Sequence, residues 1–532
     1  MTETRRTGRS ASGGLAKGRA FRLQVSHTAR VPTGDPAREA ADLRAALAAA
    51  GADLTVMMAA IEGAGADMLA FQVAMLEDDA LTEGAFHAID AGIDADHAWR
   101  EAMAAEIAGY ESAEDEYFRA RASDLADIRE RVSQHLAGGG SSSAPPPGAV
   151  ILDEDLTPSR FLAIDWRSGG AIVLGAGSAS SHVAMLARAR GIPMIVGLGA
   201  LPETPDLALV DADKGVVIFE PSPQTQADFD RKLEAAARER AMIEPFRLKP
   251  AKTATGESVQ VLINVAEPEE LDAIDPAICD GVGLTRTEFL FHSGAGLPDE
   301  DTQTRVYAKI AAWAKGRPVT IRTLDAGGDK PIEGLTIAET NPFLGLRGIR
   351  LSLARQDVFR LQLRALARAA VAGNIKVMLP MVSRPEEIAE TARLLDAEIK
   401  ALKASGVACA RPALGIMVEV PVAALRAADF PADFYSIGSN DLTQYTMAAS
   451  RDSAEVAALN DAADPGVLAL VAMTVKAAEA RGVEVSLCGD AGADIAILPK
   501  LLDAGLRAVS VSPFAVARVK AAISRYGAPH QP

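Results

Sequence analysis

Cysteine is scarce in this chain: there are three, Cys279, Cys409 and Cys488, in 532 residues. Three thiols cannot build a disulfide framework, and their number fits a reducing, cytoplasmic setting. No stretch of 18 residues is both apolar and free of charge, which speaks against a membrane-spanning helix. The opening MTETRRTGRSASGG is basic and Ser-rich but lacks the apolar core of a secretory signal. Positive charge is in the minority, with 54 Lys+Arg against 71 Asp+Glu and a net charge of −17. That balance argues against nucleic acid or anionic membrane as the main partner. It suits a soluble enzyme or a basic protein partner. What is plentiful is apolar side chain, 49% of residues, enough for the three or four domains that roughly 150 residues per domain implies.

The chain divides by texture. Residues 1–14 read as a disordered leader. Residues 35–140 are rich in Ala, Glu, Asp and Arg, with apolar pairs such as Leu43 and Leu47 or Leu125 and Ile128 at helical spacing; they predict an all-helical subdomain. AGGGSSSAPPPGAV, residues 137–150, is a linker, because Gly, Ser and Pro cannot continue a helix. Short apolar runs then alternate with turns to about residue 222, an α/β module. GLAKGRAFRLQV supplies it with an N-terminal strand, which makes residues 15–34 and 145–222 one domain and the helical subdomain its insertion. Residues 223–250 form a charged linker helix. From residue 251 to 525 eight apolar strands recur between helical stretches: VQVLINV, GVGLTRT, PVTIRTLD, IKVMLPM, ALGIMVEV, FYSIGSND, VEVSLCGD and AVSVSP. That order predicts a (β/α)8 barrel whose active site lies at the C-terminal strand ends. The fold class is a multidomain α/β chain with a C-terminal barrel.

Polar residues crowd those strand ends: Asn264, Arg286, Arg322, Asp325, Glu419, Asn440, Asp441 and Cys488. Arg286 and Arg322 follow consecutive strands, and Lys330, Arg347 and Arg451 can join them. Cations converging on one mouth imply a substrate with phosphate and carboxylate, which Arg binds bidentately; the competing reading is ion pairing with neighbouring acids. Glu419 and Asp441 end the fifth and sixth strands. Two oxygen ligands with open positions suit Mg2+; alternatively they balance the arginines. Asn440 is an uncharged donor for a phosphate or carboxylate oxygen. Cys488, in the turn SLCGD, is placed to act as proton donor or nucleophile, whereas Cys279 and Cys409 read as packing residues.

GAGSASSHVAMLARARGIPMIVG is the other informative segment. A strand ends in small residues, His182 opens the helix, and Gly191 and Pro193 close it. A histidine in the first turn lies by free N–H groups and the positive helix end, a site that stabilises an attached phosphoryl group, and neutral imidazole is a competent phosphoryl acceptor. The plainer alternative is a packing histidine.

Together these motifs resemble enzyme I of the bacterial sugar phosphotransferase system, the phosphoenolpyruvate-protein phosphotransferase family. The resemblance runs from about Gly14 to Ser524. It is strongest in GVGLTRTEFLF, IRTLDAGGDKP, NPFLGLRGIR, GIMVEVP, FYSIGSNDLTQYT and SLCGD, and weaker in MLEDDAL and AEDEYFRARASDLADIRERV. It implies that His182 is the phosphohistidine and that Arg286, Arg322, Asn440 and Arg451 hold phosphoenolpyruvate, with Lys330 and Arg347 nearby. It implies Mg2+ on Glu419 and Asp441, and Cys488 as the proton donor to the enolate. The implied partner is the small carrier HPr, docked on the helical subdomain, and the implied assembly is a homodimer through the barrel. The phosphohistidine domain is then a swivelling one, since one histidine must serve both the barrel mouth and the carrier. Two motifs depart from the family. Gly-Gly-x-Thr-Ser-His is replaced by Gly177, Ser178, Ala179, Ser180 and Ser181 before His182, and Asp-Arg-Gly-Asn by Ser450, Arg451, Asp452 and Ser453. Three other readings fit parts of this pattern. One is a degenerate regulatory relative that binds phosphoenolpyruvate with little turnover. A phosphoenolpyruvate synthase or dikinase relative would need an ATP-grasp domain for which no segment remains. A barrel lyase of small keto acids would leave His182 without a purpose.

Overall fold

The computed structural model of the protein describes residues 3–23, 30–59, 69, 72–76, 78–111, 116–138, 144–178, 181–202, 205–266, 268–291, 297–328, 332, 334–337, 339–450 and 456–528. The chain forms two compact units, residues 1–238 and 239–532.

The first unit carries an eight-stranded sheet made of β1 (Thr4–Thr7), β2 (Arg9–Ser12), β3 (Leu15–Arg22), β4 (Val150–Asp153), β5 (Ala171–Leu174), β6 (Met194–Val196), β7 (Leu207–Asp211) and β8 (Val216–Phe219). Their order is β1-β8-β7-β3-β4-β5-β6-β2. The expected disordered leader is therefore corrected: residues 4–12 are two strands, β1 paired with β8 and β2 with β6. The polar, Arg-rich composition misled because β1 is exposed on every side chain. A ladder needs only backbone groups, so pairing here does not require apolar residues. Gly8 joins the two edge strands, donating its N–H to the Gly215 carbonyl at 2.8 Å, and a Cβ there would come within 2.6 Å of the Val196 oxygen.

β3 and β4 are parallel neighbours, Ala20 opposite Val150. Parallel neighbours require a crossover, and the helices Pro36–Ala59, Asp79–Asp90, Ala95–Glu111 and Glu116–Leu136 lie in it. The helical subdomain is thus an insertion between two adjacent strands. Its core is built on Leu43, Trp99, Leu125, Ile128 and Val132, with the Trp99 indole N–H donating to the Arg129 carbonyl at 3.1 Å. Asp127 ties it back to the sheet domain, accepting from the Ser159 hydroxyl at 2.6 Å.

The second unit is a closed barrel of eight parallel strands: β9 (Gln260–Val265), β10 (Val282–Thr285), β11 (Val319–Arg322), β12 (Ile375–Leu379), β13 (Ala413–Val418), β14 (Phe434–Ile437), β15 (Glu484–Leu487) and β16 (Ala508–Val511). All eight expected strands are present. Alternation sorts their side chains. Val319, Ile321, Val377, Leu379, Ile416, Val418, Tyr435, Ile437, Val509 and Val511 belong to the large core shared with the surrounding helices. Leu284, Met378, Met417, Phe434 and Cys488 form a separate cluster. Those five fill the lumen, because successive side chains on a strand face opposite ways. By the same period Arg322, Ser436 and Ser486 face the lumen.

One buried charge braces the helical insertion. Glu39 accepts from the Thr33 N–H and hydroxyl, each at 2.6 Å, and from the Ala95 N–H at 2.9 Å, and it pairs with Arg30. Burial alone would raise its carboxyl, but these donors outweigh burial and hold it at about 2, below its ordinary 4.5. A depressed folded-state value stabilises the fold above the unfolded value, and that contribution fades as pH falls towards 2. Glu39→Gln should therefore destabilise the insertion by about 3 kcal/mol near neutrality. The gap from the parent should narrow below about pH 4, read as urea midpoints at two pH values. A pH-independent gap would assign the loss to packing.

Candidate active site

A cavity of about 780 Å3 opens at the C-terminal strand ends of the barrel, lined by Arg286, Arg322, Arg347, Glu419, Asp441 and Cys488 among others. Its wall is organised by charge. Arg322 ends β11, almost fully buried, with Nη2 3.0 Å from Glu288 and Nη1 2.9 Å from Asp325. Arg347 is 2% exposed in its side chain and places Nη2 2.9 Å from the same Asp325 oxygen and 3.7 Å from Asp441. Asp325 therefore joins both guanidiniums. Burial opposes their charge, but the neighbouring carboxylates outweigh it and hold both well above the usual arginine value. The Arg322 Nε is buried without a hydrogen-bond acceptor, a donor free for a ligand oxygen. Arg286 follows β10, exposed, and forms no ion pair among the described residues.

Glu419 sits just beyond β13, 1% exposed, and accepts the Met381 N–H at 2.6 Å. Burial, then Asp441, then Asp325 push its carboxyl far above the normal range. Asp441 lies in the first turn of the helix Ser439–Met447, and its Oδ1 is buried without a hydrogen-bond partner. Two mutually repelling carboxyls, one with an orphaned oxygen, fit a divalent cation. No group of three or more potential metal ligands occurs among the described residues. A cation here would thus take two protein carboxylates and complete its shell with water and substrate, as Mg2+ does.

Cys488 follows β15, 5% exposed. Burial raises its thiol to about 11, so it stays protonated at neutral pH. Its Sγ–H donates to the Ile437 carbonyl at 3.6 Å. Asn440 is more engaged than its expected ligand role suggests: its Nδ2 donates to Asp490 at 2.9 Å and its Oδ1 accepts the Asp490 N–H at 3.0 Å. One amide hydrogen is left for a ligand. Asn264 does not face the ligand as a free group. It ties strands together, donating to the Cys488 and Ser510 carbonyls at 3.3 Å each. Lys330 and Arg451 lie outside the described residues.

Three groups carry more of the site than the sequence signalled. Glu288 was hidden in the apolar run TEFLF, where one acid two residues past Arg286 was the only sign. Asp325 stands among the polar residues at the strand ends, and nothing in the sequence marks it as the shared partner of two arginines. Tyr445 takes Arg347 Nη1 at 3.3 Å and donates to the Phe343 carbonyl at 2.5 Å.

His182 belongs to the first unit. It opens the nine-residue helix His182–Arg190, whose N-cap Ser181 accepts the Ala184 N–H on its hydroxyl at 3.2 Å. Gly191 closes the helix at φ 64°, the left-handed turn expected of a C-terminal glycine.

Three family models match the chain: "PEP-utilising enzyme, PEP-binding domain" over residues 240–527, "PEP-utilising enzyme, N-terminal" over 7–121 and "PEP-utilising enzyme, mobile domain" over 145–215. A phosphoenolpyruvate-protein phosphotransferase of Geobacillus stearothermophilus is 36% identical over 97% of this chain and 92% of its own length. One of Latilactobacillus sakei is 34% identical over 99% and 94%. The chain belongs to the phosphoenolpyruvate-protein phosphotransferase family. A multiphosphoryl transfer protein of Rhodobacter capsulatus is also similar, at 37% identity over 84% of this chain and 54% of that protein. Within the phosphotransferase family frame the barrel cavity lies in the segment matched by the PEP-binding model, and His182 in the segment matched by the mobile-domain model.

Glu288→Ala should cost about 3 kcal/mol, since it strips a buried guanidinium of a partner. For a unit of this size that is about 5 °C in Tm. An unchanged midpoint would mean that Asp325 alone holds Arg322.

Proposed function

We propose that this protein transfers the phosphoryl group of phosphoenolpyruvate to its own His182, releases pyruvate, and passes the group on to a histidine of the carrier HPr. That is the first step of the phosphotransferase system, in sugar uptake or its regulation. Besides family membership, one observation carries the reading. A protonated, buried thiol shares a cavity wall with guanidinium donors and a carboxyl pair, one of whose oxygens has no hydrogen-bond partner, the set of groups that an anionic enol ester requires.

Arg286 and the free Nε of Arg322 bind the substrate's carboxylate and phosphate, with Arg347, Asn440, Lys330 and Arg451 completing the anion shell. Glu419 and Asp441 are the residues that would hold Mg2+, which when bound supplies positive charge to substrate oxygens. An imidazole nitrogen of His182 forms the new bond to phosphorus while the bond from phosphorus to the enol oxygen breaks and that oxygen keeps the electron pair. The transition state is loose, so alignment and charge neutralisation matter most. Cys488 then gives its proton to the enolate carbon. A thiol held at about 11 suits this role, because it is fully protonated before the step.

The phosphohistidine is stabilised by free N–H groups at the start of its helix and is carried between barrel and carrier by movement of its domain. The acidic helical subdomain suits a carrier with a basic face. The family reading also carries a cytoplasmic location, with which the few, reduced cysteines agree, and a homodimer through the barrel. The exposed Leu425 and Met473, on barrel helices that pack together, are apolar candidates for that contact. Intact mass after incubation with phosphoenolpyruvate and Mg2+ tests the core of the reading. One acid-labile phosphate is expected on the parent and none on His182→Ala. Labelling of that variant would move the phosphorylated residue elsewhere, and no gain in either would favour a binding-only relative.

A further inference from the structure

Cys488 can give up its proton once, and each further turnover needs another. The thiol is buried, and its cavity face is the face that substrate and product occupy. The lumen below it offers a different supply. Register sets Ser436 on β14 opposite Ser486 on β15, both on the lumen side. The Ser486 hydroxyl donates to the Ser436 oxygen at 3.3 Å. Ser436 directly precedes Ile437, whose carbonyl accepts the Cys488 thiol at 3.6 Å, and its nearby hydroxyl favours the Cys488 thiolate. Ser436 is fully buried beside Met417, Met378 and Phe434, a place where a hydroxyl costs free energy unless it is paired. Ser486 is half-buried. Neither serine lines the substrate cavity, so the two hydroxyls lead away from Cys488 on the side opposite the mouth. Two residues further towards the N-terminal end of β15, Glu484 is 74% exposed in its side chain and pairs with Lys376 of β12. Strands β12 and β15 are not neighbours, so that pair spans the lumen floor in contact with water.

We propose that Ser436 and Ser486 are positioning residues that return a proton to Cys488 from water at the lumen floor. This rests on the reading of Cys488 as the proton donor. Cys488 gives its Sγ proton to the enolate carbon, whose double-bond pair forms the new C–H bond, and a thiolate remains. Ser436 passes its hydroxyl proton to the sulfur and takes one from Ser486. Ser486 takes its own from water, and hydroxide leaves to bulk. No atom changes oxidation state, and the direction of the Ser486-to-Ser436 bond already matches the flow.

The test is pyruvate formation by the full chain at saturating phosphoenolpyruvate, with carrier to sustain turnover. Ser436→Ala and Ser486→Ala should each slow it by about tenfold, within the roughly 10²–10⁴-fold that a general acid contributes. Ser436→Thr and Ser486→Thr, which keep the hydroxyl, should restore most of the rate, and imidazole buffer should speed the alanine variants but not the parent. Parent-like rates in both alanine variants would overturn the proposal. So would threonine variants as slow as alanine at both positions, which would mean that only packing was lost. Cys488→Ala separates the two levels: if it forms pyruvate at the parent rate, the proton-donor reading itself fails. If it is slow while the serine variants are fast, only the relay fails. Ser486→Ala, at a half-buried position, keeps the test open should Ser436→Ala not fold.

Discussion

Asp325 holds two guanidiniums at once, and the substrate side of the barrel depends on that. Its carboxylate lies 2.9 Å from both Arg322 and Arg347, and Glu288 takes the far side of Arg322. Two buried cations would repel one another and shed their burial cost by swinging outward. With a shared anion between them they stay charged inside the wall, and their remaining donors keep fixed directions. A rigid donor set costs no reorganisation when an anion arrives, which is where electrostatic catalysis gains most.

The same wall has carboxyls in excess. Glu288, Asp325, Glu419 and Asp441 are buried, against Arg322 and Arg347. The raised Glu419 and the orphaned Asp441 oxygen are two signs of that imbalance. A buried site with surplus negative charge repels a lone anionic substrate, and one that gains a divalent cation attracts it. On the proposed reading, a divalent cation held by Glu419 and Asp441 and an anionic substrate would each lower the cost of binding the other.

Much of this was legible in the sequence because the barrel repeats one simple code. Eight short apolar runs, each ending in polar residues, gave strand identity, strand direction and the rim together. The unread parts share a physical cause. Glu288 and Ser436 are single polar residues inside apolar stretches, and nothing in a linear pattern tells a buried brace from an exposed interruption. The first strands were missed for the converse reason: β1 has no apolar face to reveal it, and its ladder is formed by backbone alone. The sequence marks Asn440 as an uncharged donor, yet most of its amide is taken by Asp490, fifty residues away.

Alternation along a strand explains why the chemistry and its support stand in one column. In β15 the residues facing the lumen are Glu484, Ser486 and, one step past the strand, Cys488. They run from a solvated floor, through a hydroxyl, to a thiol at the mouth. A barrel places layers of side chains at fixed heights, so whatever occupies the layer below the reactive one is its nearest neighbour for proton exchange. Met378, Met417 and Phe434 lie around it, and Ser510 pairs with Asn264 in the same lumen at 2.6 Å. On the proposed relay, two hydroxyls paired across β14 and β15, in line with the one thiol of the site, stand where a proton returning from the floor to Cys488 would pass.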